Sequence, residues 1–241
     1  GKPVVVDECG YEGDVPQGWG RLSPQEMVRR FWLGTINGGY VGHGETYQPP
    51  DDVLWWSKGG VLHGKSPARI FFLGEIIRGL PFHEMQPDYS HHPEVGIMSK
   101  PGKAYLIYFA EKKSVSLDLP GDRPYKLDTI DPWEMKVFPS GSAGPGQFTF
   151  TPLKRDSAIQ LTPYAPGEKM RPVARISADK TEGIAPLTVQ FSTPSDGSYL
   201  WELEDNVRSE DRSLAYTFRR PGIYSVVLTV TDSAGVSGST T

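Results

Sequence analysis

The rhythm of apolar and polar positions changes twice along the chain. Near the start, Pro3-Val4-Val5-Val6 is an uninterrupted apolar run, which predicts a short strand buried on both faces, as in a parallel sheet. Ser23-Pro24-Gln25-Glu26 then announces a helix: Ser23 can cap free amides, Pro24 suits the first turn, and Glu26 completes a capping box. Met27, Phe31 and Thr35 recur one helical turn apart with Val28 and Trp32 beside them, and Gly38-Gly39 stops the helix. Tyr40-Val41-Gly42-His43-Gly44-Glu45 reads as a second strand. After a Pro- and Asp-rich loop containing Trp55-Trp56, Ser66-Pro67 opens a second helix. Its Ile70, Leu73, Ile76, Ile77 and Leu80 share a face, and Pro81 closes it. Strand, helix, strand, helix predicts an α/β region with parallel pairing.

From residue 82 onward the pattern becomes strand-like, broken by Pro, Gly, Asp and Ser. Strands are predicted at Ala104–Phe109, Ser114–Leu119, Trp133–Phe138, Gln147–Thr151 and Ala158–Leu161, and short strands with turns between them predict an antiparallel sandwich. Pro163 to Pro172 reads as a linker. Beyond it, Tyr224, Val226, Leu228 and Val230 face one way while Ser225, Thr229 and Thr231 face the other, after a turn at Pro221-Gly222.

Composition sharpens this picture. The chain has 27 glycines and 22 prolines in 241 residues, which favours turns and short strands over long helices. With 37% hydrophobic and 11% aromatic residues it can build packed cores, so a wholly disordered chain is excluded. No apolar run is long enough for a membrane span. A net charge of −4 without a basic block gives no electrostatic case for nucleic acid. Cys9 is the single cysteine, which excludes an internal disulfide and a multi-cysteine zinc site.

Candidate chemistry concentrates near the N-terminus. Carboxylates at the C-terminal end of a parallel strand stand where barrel enzymes keep their active sites. Asp7 and Glu8 hold that position on the first strand, and His43 and Glu45 hold it on the second. Tyr47, Trp55 and Trp56 follow, and their flat faces suit stacking on sugar rings. The alternative is that the tryptophans are core and the carboxylates solvated. His83, Glu84, Asp88, His91 and His92 lie close in sequence, but their spacing fits no ordered ligand motif and reads as a solvated linker. Cys9 reads as a small packed thiol, and neither a metal nor a cofactor is expected.

Lys2-Pro3-Val4-Val5-Val6-Asp7-Glu8-Cys9-Gly10-Tyr11-Glu12-Gly13 resembles the seventh strand of a retaining (β/α)8 glycoside hydrolase of the bacterial apiosidase-like group. Arg30-Phe31-Trp32-Leu33-Gly34-Thr35, Gly39 to Tyr47 and Leu54-Trp55-Trp56-Ser57-Lys58-Gly59-Gly60 carry the same resemblance over residues 2–81. It implies that Glu8 is the nucleophile and that the general acid/base belongs to a strand four this chain does not contain; Tyr11, His43, Glu45, Tyr47, Trp55 and Trp56 are the candidate substrate-binding residues. Retaining hydrolysis needs two carboxyl groups about 5 Å apart, and Asp7, adjacent to Glu8 on a strand, points to the opposite face. The chain alone is therefore expected not to hydrolyse glycosides, and the missing N-terminal barrel portion is an expected partner beside polysaccharide or oligosaccharide.

Residues 82–165 resemble the β-sandwich that follows the barrel in such enzymes, through Ala104 to Phe109 and Ile130 to Met135. Residues 172–241 resemble a polycystic kidney disease (PKD) domain, through Gly183 to Phe191, Trp201 to Asp205, Tyr216-Thr217-Phe218, Pro221 to Tyr224 and Leu228 to Asp232. Glu204-Asp205-Asn206 departs from that family's usual Gly-Asp-Gly, which predicts a different turn. The expected fold class is α+β multidomain. It comprises a partial (β/α)8 barrel of the last two βα units (1–81), an accessory β-sandwich (82–165), a linker (166–171) and an immunoglobulin-like PKD sandwich (172–241). Three functional readings stand: the C-terminal part of a secreted bacterial glycoside hydrolase, a non-catalytic carbohydrate-binding or targeting module, and a structural spacer. Extracytoplasmic location follows from the resemblance alone.

Overall fold

The computed structural model describes residues 2–48, 50 and 61–241. Trp55, Trp56 and the rest of the Leu54 to Gly60 motif lie outside the described residues. The chain divides into two compact units: Gly1–Gly121 with Ile130–Val137 and Pro145–Thr162, and Asp122–Thr129 with Phe138–Gly144 and Pro163–Thr241. It is mostly β-sheet, with two α-helices among the described residues.

In the first unit, strand β1 (Val4–Val6) pairs in parallel with β3 (Gly39–Val41), and β2 (Glu12–Gly13) pairs in parallel with β4 (Glu45–Thr46). The expected parallel pairing is present, but the second strand is broken in two at Gly42 to Gly44. Burial on both faces of β1 is not found: Val4 and Val5 are 61% and 60% exposed, because β3 is the one strand paired with β1 among the described residues.

Helix α1 spans Pro24–Ile36. Ser23 Oγ accepts the Glu26 amide at 3.1 Å, whereas the Glu26 carboxylate turns outward to Arg30 at 2.8 Å rather than closing the box. The helix ends where Gly38 takes φ +83°, a left-handed conformation open to glycine, and donates its N–H to Thr35 O. Helix α2 spans Ser66–Arg78.

Strands β5 (Gln86–Pro87), β6 (Val95–Lys100), β7 (Ala104–Phe109) and β12 (Ser157–Pro163) form antiparallel neighbours, with Ile97 and Ile159 both opposite Ile107. Strand β8 (Val115–Leu119) pairs antiparallel with β11 (Gly146–Phe150). Every residue of β7 is buried. Successive side chains on a strand face opposite ways, so Ala104, Leu106 and Tyr108 join the core of the two helices while Phe109 meets Phe150 at 5.6 Å between ring centroids. Trp32 stacks on Tyr108 at 5.3 Å, and Gly96 lets β6 approach so closely that an added Cβ would meet Ile36 at 3.0 Å. The apolar face of α1 is therefore covered by this sheet. At one edge Arg29 forms a bidentate pair with Asp156, both bonds 2.8 Å, and Asp156 also accepts the Tyr108 hydroxyl at 2.8 Å.

Some strands differ from the sequence pattern. β6 and β9 (Tyr125–Asp131) were not among the expected strands, and the strand expected from Trp133 is β10 (Lys136–Ala143). Trp133 instead sits in a turn made by Asp131, whose Oδ1 accepts the Trp133 and Glu134 amides at 2.9 Å each, with Met135 at φ 53°. Trp133 packs against the helical core and lies 3.7 Å beneath the Arg69 guanidinium.

In the second unit, β13 (Ser177–Ala178), β14 (Leu187–Ser192) and β17 (Ser213–Phe218) make one sheet. β16 (Arg208–Ser209), β15 (Ser198–Glu202), β18 (Val227–Thr231) and β19 (Ser237–Thr240) make another, in that order. Val189, Phe191, Trp201, Phe218, Leu228 and Val230 share one core, and the Trp201 indole N–H donates to Asp211 O at 2.8 Å. Tyr224 and Val226 pack on this core as the alternation predicts, although the strand begins at Val227. Glu204–Asn206 forms a 3-10 turn with Asn206 at φ 59°, in place of the glycine-bounded turn. Facing hydroxyls bond across the strands: Thr188 to Thr217 at 2.8 Å, Thr229 to Ser239 at 2.9 Å and Thr231 to Ser237 at 2.8 Å. The segment that reads as a linker is tied down, since Tyr164 is buried and its hydroxyl accepts the Arg171 amide at 2.9 Å, while Glu168 meets Lys126 at 3.0 Å.

Trp32→Ala should destabilise the first unit by about 3–5 kcal/mol, because it removes a large, fully buried ring. Ile184→Ala, at a side chain 90% exposed, should stay within about 0.5 kcal/mol of the parent. Urea denaturation of the two variants checks the contrast.

Candidate functional site

The residues singled out by sequence separate into a pair whose carboxylate is exposed and a cluster around buried carboxylates. Glu8 lies two residues past β1 and is exposed; its Oε1 accepts the Tyr11 hydroxyl at 2.8 Å. This bond to the Glu8 carboxylate raises the Tyr11 phenol above its ordinary range. The Tyr11 ring is fixed on two sides: it stands edge-on to Trp19 at 5.7 Å, and Gly44 lies against it so closely that a Cβ there would overlap the ring.

The buried cluster comprises Glu12, His43, Glu45, Tyr47 and the backbone leading into α2. Glu12 and Glu45 are directly opposite in the parallel register of β2 and β4, and both have 0% exposure. Two carboxylates are tolerated there because the backbone amides of residues 63–66, the turn that enters α2 and its first residue, point at them. Glu12 accepts Lys65 N at 2.7 Å and Ser66 N at 3.0 Å, and Glu45 Oε2 accepts His63 N at 2.7 Å and Gly64 N at 3.0 Å. The Tyr47 hydroxyl adds a bond to Glu12 at 2.8 Å. Burial pushes the Glu12 carboxyl up, but hydrogen bonds from Ser66, Lys65 and Tyr47 outweigh it and hold the group below its usual range. Burial, with the bond to Glu12, raises Tyr47.

His43 Nε2 is 3.1 Å from Ser66 Oγ and 3.8 Å from Glu45 Oε1. Burial lowers its pKa against the pull of Glu45 and Glu12. Glu45 Oε1 has no hydrogen-bond partner among the described residues. One donor atom each from Glu12, His43 and Glu45 lies within 4.8 Å of the others.

Thus the structure brings His43, Glu45 and Tyr47 together, and holds the exposed Glu8 against the half-buried Tyr11. Glu45 is not the solvent-facing rim residue that its place in sequence suggests, because residues 63–66 fold over it. Glu12, which stands in the Lys2 to Gly13 motif but was given no role there, is the residue that was missed; its in-register position opposite Glu45 shows only in the folded chain. Among the other candidates, His91 pairs with Asp88 at 3.3 Å and His92 with Glu94 at 3.3 Å, so these histidines take separate carboxylates. Cys9 is half-buried with its thiol 3.8 Å from Met27 Sδ, and burial raises its pKa. No helix among the described residues is long and apolar enough to cross a membrane.

Gly64 must approach both carboxylates to donate its N–H: a Cβ there would stand 2.5 Å from Glu12 Oε2 and 2.6 Å from Glu45 Oε1. Gly64→Ala should therefore cost about 1–3 kcal/mol in a denaturation measurement, whereas Gly18→Ala, with open space around the added methyl, should not show that loss.

Comparison with known proteins places these features in context. Residues 169–241 match the family model for the PKD domain. Over 73 residues the chain is 38% identical to the pre-pro-metalloprotease PrtV of Vibrio cholerae serotype O1, covering 29% of this chain and 8% of that protein. A chain from Bacteroides vulgatus ATCC 8482 assigned as a glycoside hydrolase is 28% identical, with a TM-score of 0.55 over 68% of this chain and 36% of its own. A family 5 glycoside hydrolase from the same organism is 16% identical, again with a TM-score of 0.55, over 67% and 41% of the two chains; this likeness is one of fold. The chain thus spans about a third of the hydrolase length it resembles and a small part of the protease.

Proposed function

With a PKD domain at residues 169–241 and glycoside hydrolases as structural neighbours, we propose that this chain is the C-terminal part of a retaining glycoside hydrolase of the apiosidase-like group. In this reading it acts outside a bacterial cell on plant or microbial polysaccharide. The observation that carries the reading is Glu8: an exposed carboxylate just beyond a strand in parallel pairing, with one oxygen held by Tyr11. β1 and β3 then serve as the last two barrel strands. Glu8 forms the glycosyl-enzyme bond, and a second carboxyl group, supplied by preceding strands, protonates the leaving oxygen. Trp55 and Trp56 serve as stacking platforms, and the PKD domain as a spacer or a weak polysaccharide contact.

The chain alone should release no sugar from pectic, arabinan or β-glucan substrates. Joined to the preceding barrel strands, it should turn over, and Glu8→Gln should lower kcat by several orders of magnitude. Glu8→Ala with added azide should restore turnover as a glycosyl azide of inverted anomeric configuration, the mark of a lost nucleophile. Turnover that survives Glu8→Gln would remove Glu8 from the role. Affinity electrophoresis separates the carbohydrate-binding reading: retardation by a glycan, lost in Trp55→Ala and Trp56→Ala, supports binding without cleavage.

A further inference from the structure

We propose that Glu12, His43 and Glu45 bind one divalent cation of the zinc and manganese class. The three side chains come from β2, the bend after β3, and β4, yet one donor atom from each lies within 4.8 Å of the others. The atom that points to a ligand is Glu45 Oε1. Its residue has 0% exposure and its sister oxygen takes two backbone amides, while Oε1 has no partner among the described residues. A buried acceptor without a donor is costly, and a cation satisfies a group that can only accept.

The geometry is close to what such an ion needs. Two ligands of one tetrahedral ion, each about 2.0–2.1 Å from it, stand roughly 3.3 Å apart. His43 Nε2 and Glu45 Oε1 are 3.8 Å apart and the three donor atoms lie within 4.8 Å of one another, so an ion would draw the ligands inward from their present positions. The ligands are already oriented by outer partners, as in metal sites generally. Glu45 is held by His63 and Gly64 amides, and Glu12 by Lys65, Ser66 and Tyr47. His43 lies beside the Ser66 hydroxyl. Among the described residues neither carboxylate has a lysine or arginine ion-pair partner, and His43 is the one cationic candidate within reach of Glu45. A dication would offset the pair's charge. One imidazole with two carboxylates suits zinc or manganese, whereas calcium and magnesium favour all-oxygen sets.

This inference stands apart from the glycosidase reading and needs no turnover to test. The chain, stripped with EDTA, should bind one equivalent of Zn2+ or Mn2+ by isothermal titration calorimetry, with a dissociation constant of about 10 µM or tighter, and its melting temperature should rise on binding. His43→Gln, at the partly exposed edge of the cluster, should weaken binding at least about 100-fold, with circular dichroism showing the fold retained. The combined variant His83→Gln, His91→Gln, His92→Gln should bind as the parent does. Should His43→Gln fail to fold, Co2+ added to the stripped parent decides: a visible spectrum of a histidine–carboxylate site at one equivalent supports the proposal. Absence of stoichiometric binding to millimolar metal, binding unchanged in His43→Gln, or binding lost in the triple-histidine variant would overturn it.

Discussion

Two carboxylates without solvent exposure need donors, and the turn that enters a helix has backbone amides to give. Glu12 and Glu45 sit opposite each other in parallel register, and the amides of His63, Gly64, Lys65 and Ser66 converge on them. That arrangement locks one short pairing of two strands, β2 with β4, to the beginning of α2. The strands themselves are two residues long, too short to hold register by ladder bonds alone, so the carboxylate bonds supply the missing specificity. Charge, in this case, acts as a register device. Gly64 is the backbone counterpart, since only a residue without Cβ can stand between the two groups.

From there the rest of the first unit follows by apolar packing. With α2 anchored at its start, Leu73 and Ile76 join Met27, Phe31, Trp32 and Ile36 of α1 in one core. The outer side of that core is β7, buried on both faces. Arg29, Asp156 and Tyr108 close the seam with bonds of 2.8 Å, so a polar network marks the place where helix and sheet meet. A helix face that would be a liability in a lone α/β fragment is thus a packing surface.

Local pattern revealed much of this. The helices, the fully apolar β7 and the PKD-like alternation of the tail were all legible, because each is a short-range signal. β6 was not: Val95–Met98 is buried at every position and carries no period-2 alternation. Trp133 read as strand because apolar bulk looks like strand, whereas the Asp131 side chain turns the chain there. Glu45 was legible as chemistry but misplaced, as its burial depends on residues about twenty positions later folding over it. Glu12 became visible as a site residue only through the pairing of β2 with β4.

The hydroxyl pairs on the sheets bear on how the protein behaves in different surroundings. Thr188 with Thr217, Thr229 with Ser239, Thr231 with Ser237, and in the first unit Ser116 with Thr149, face each other across antiparallel strands. These contacts are between neutral dipoles, not ions, so dissolved salt does not screen them as it screens exposed charge pairs. Strand registration in these sheets should therefore be largely indifferent to ionic strength.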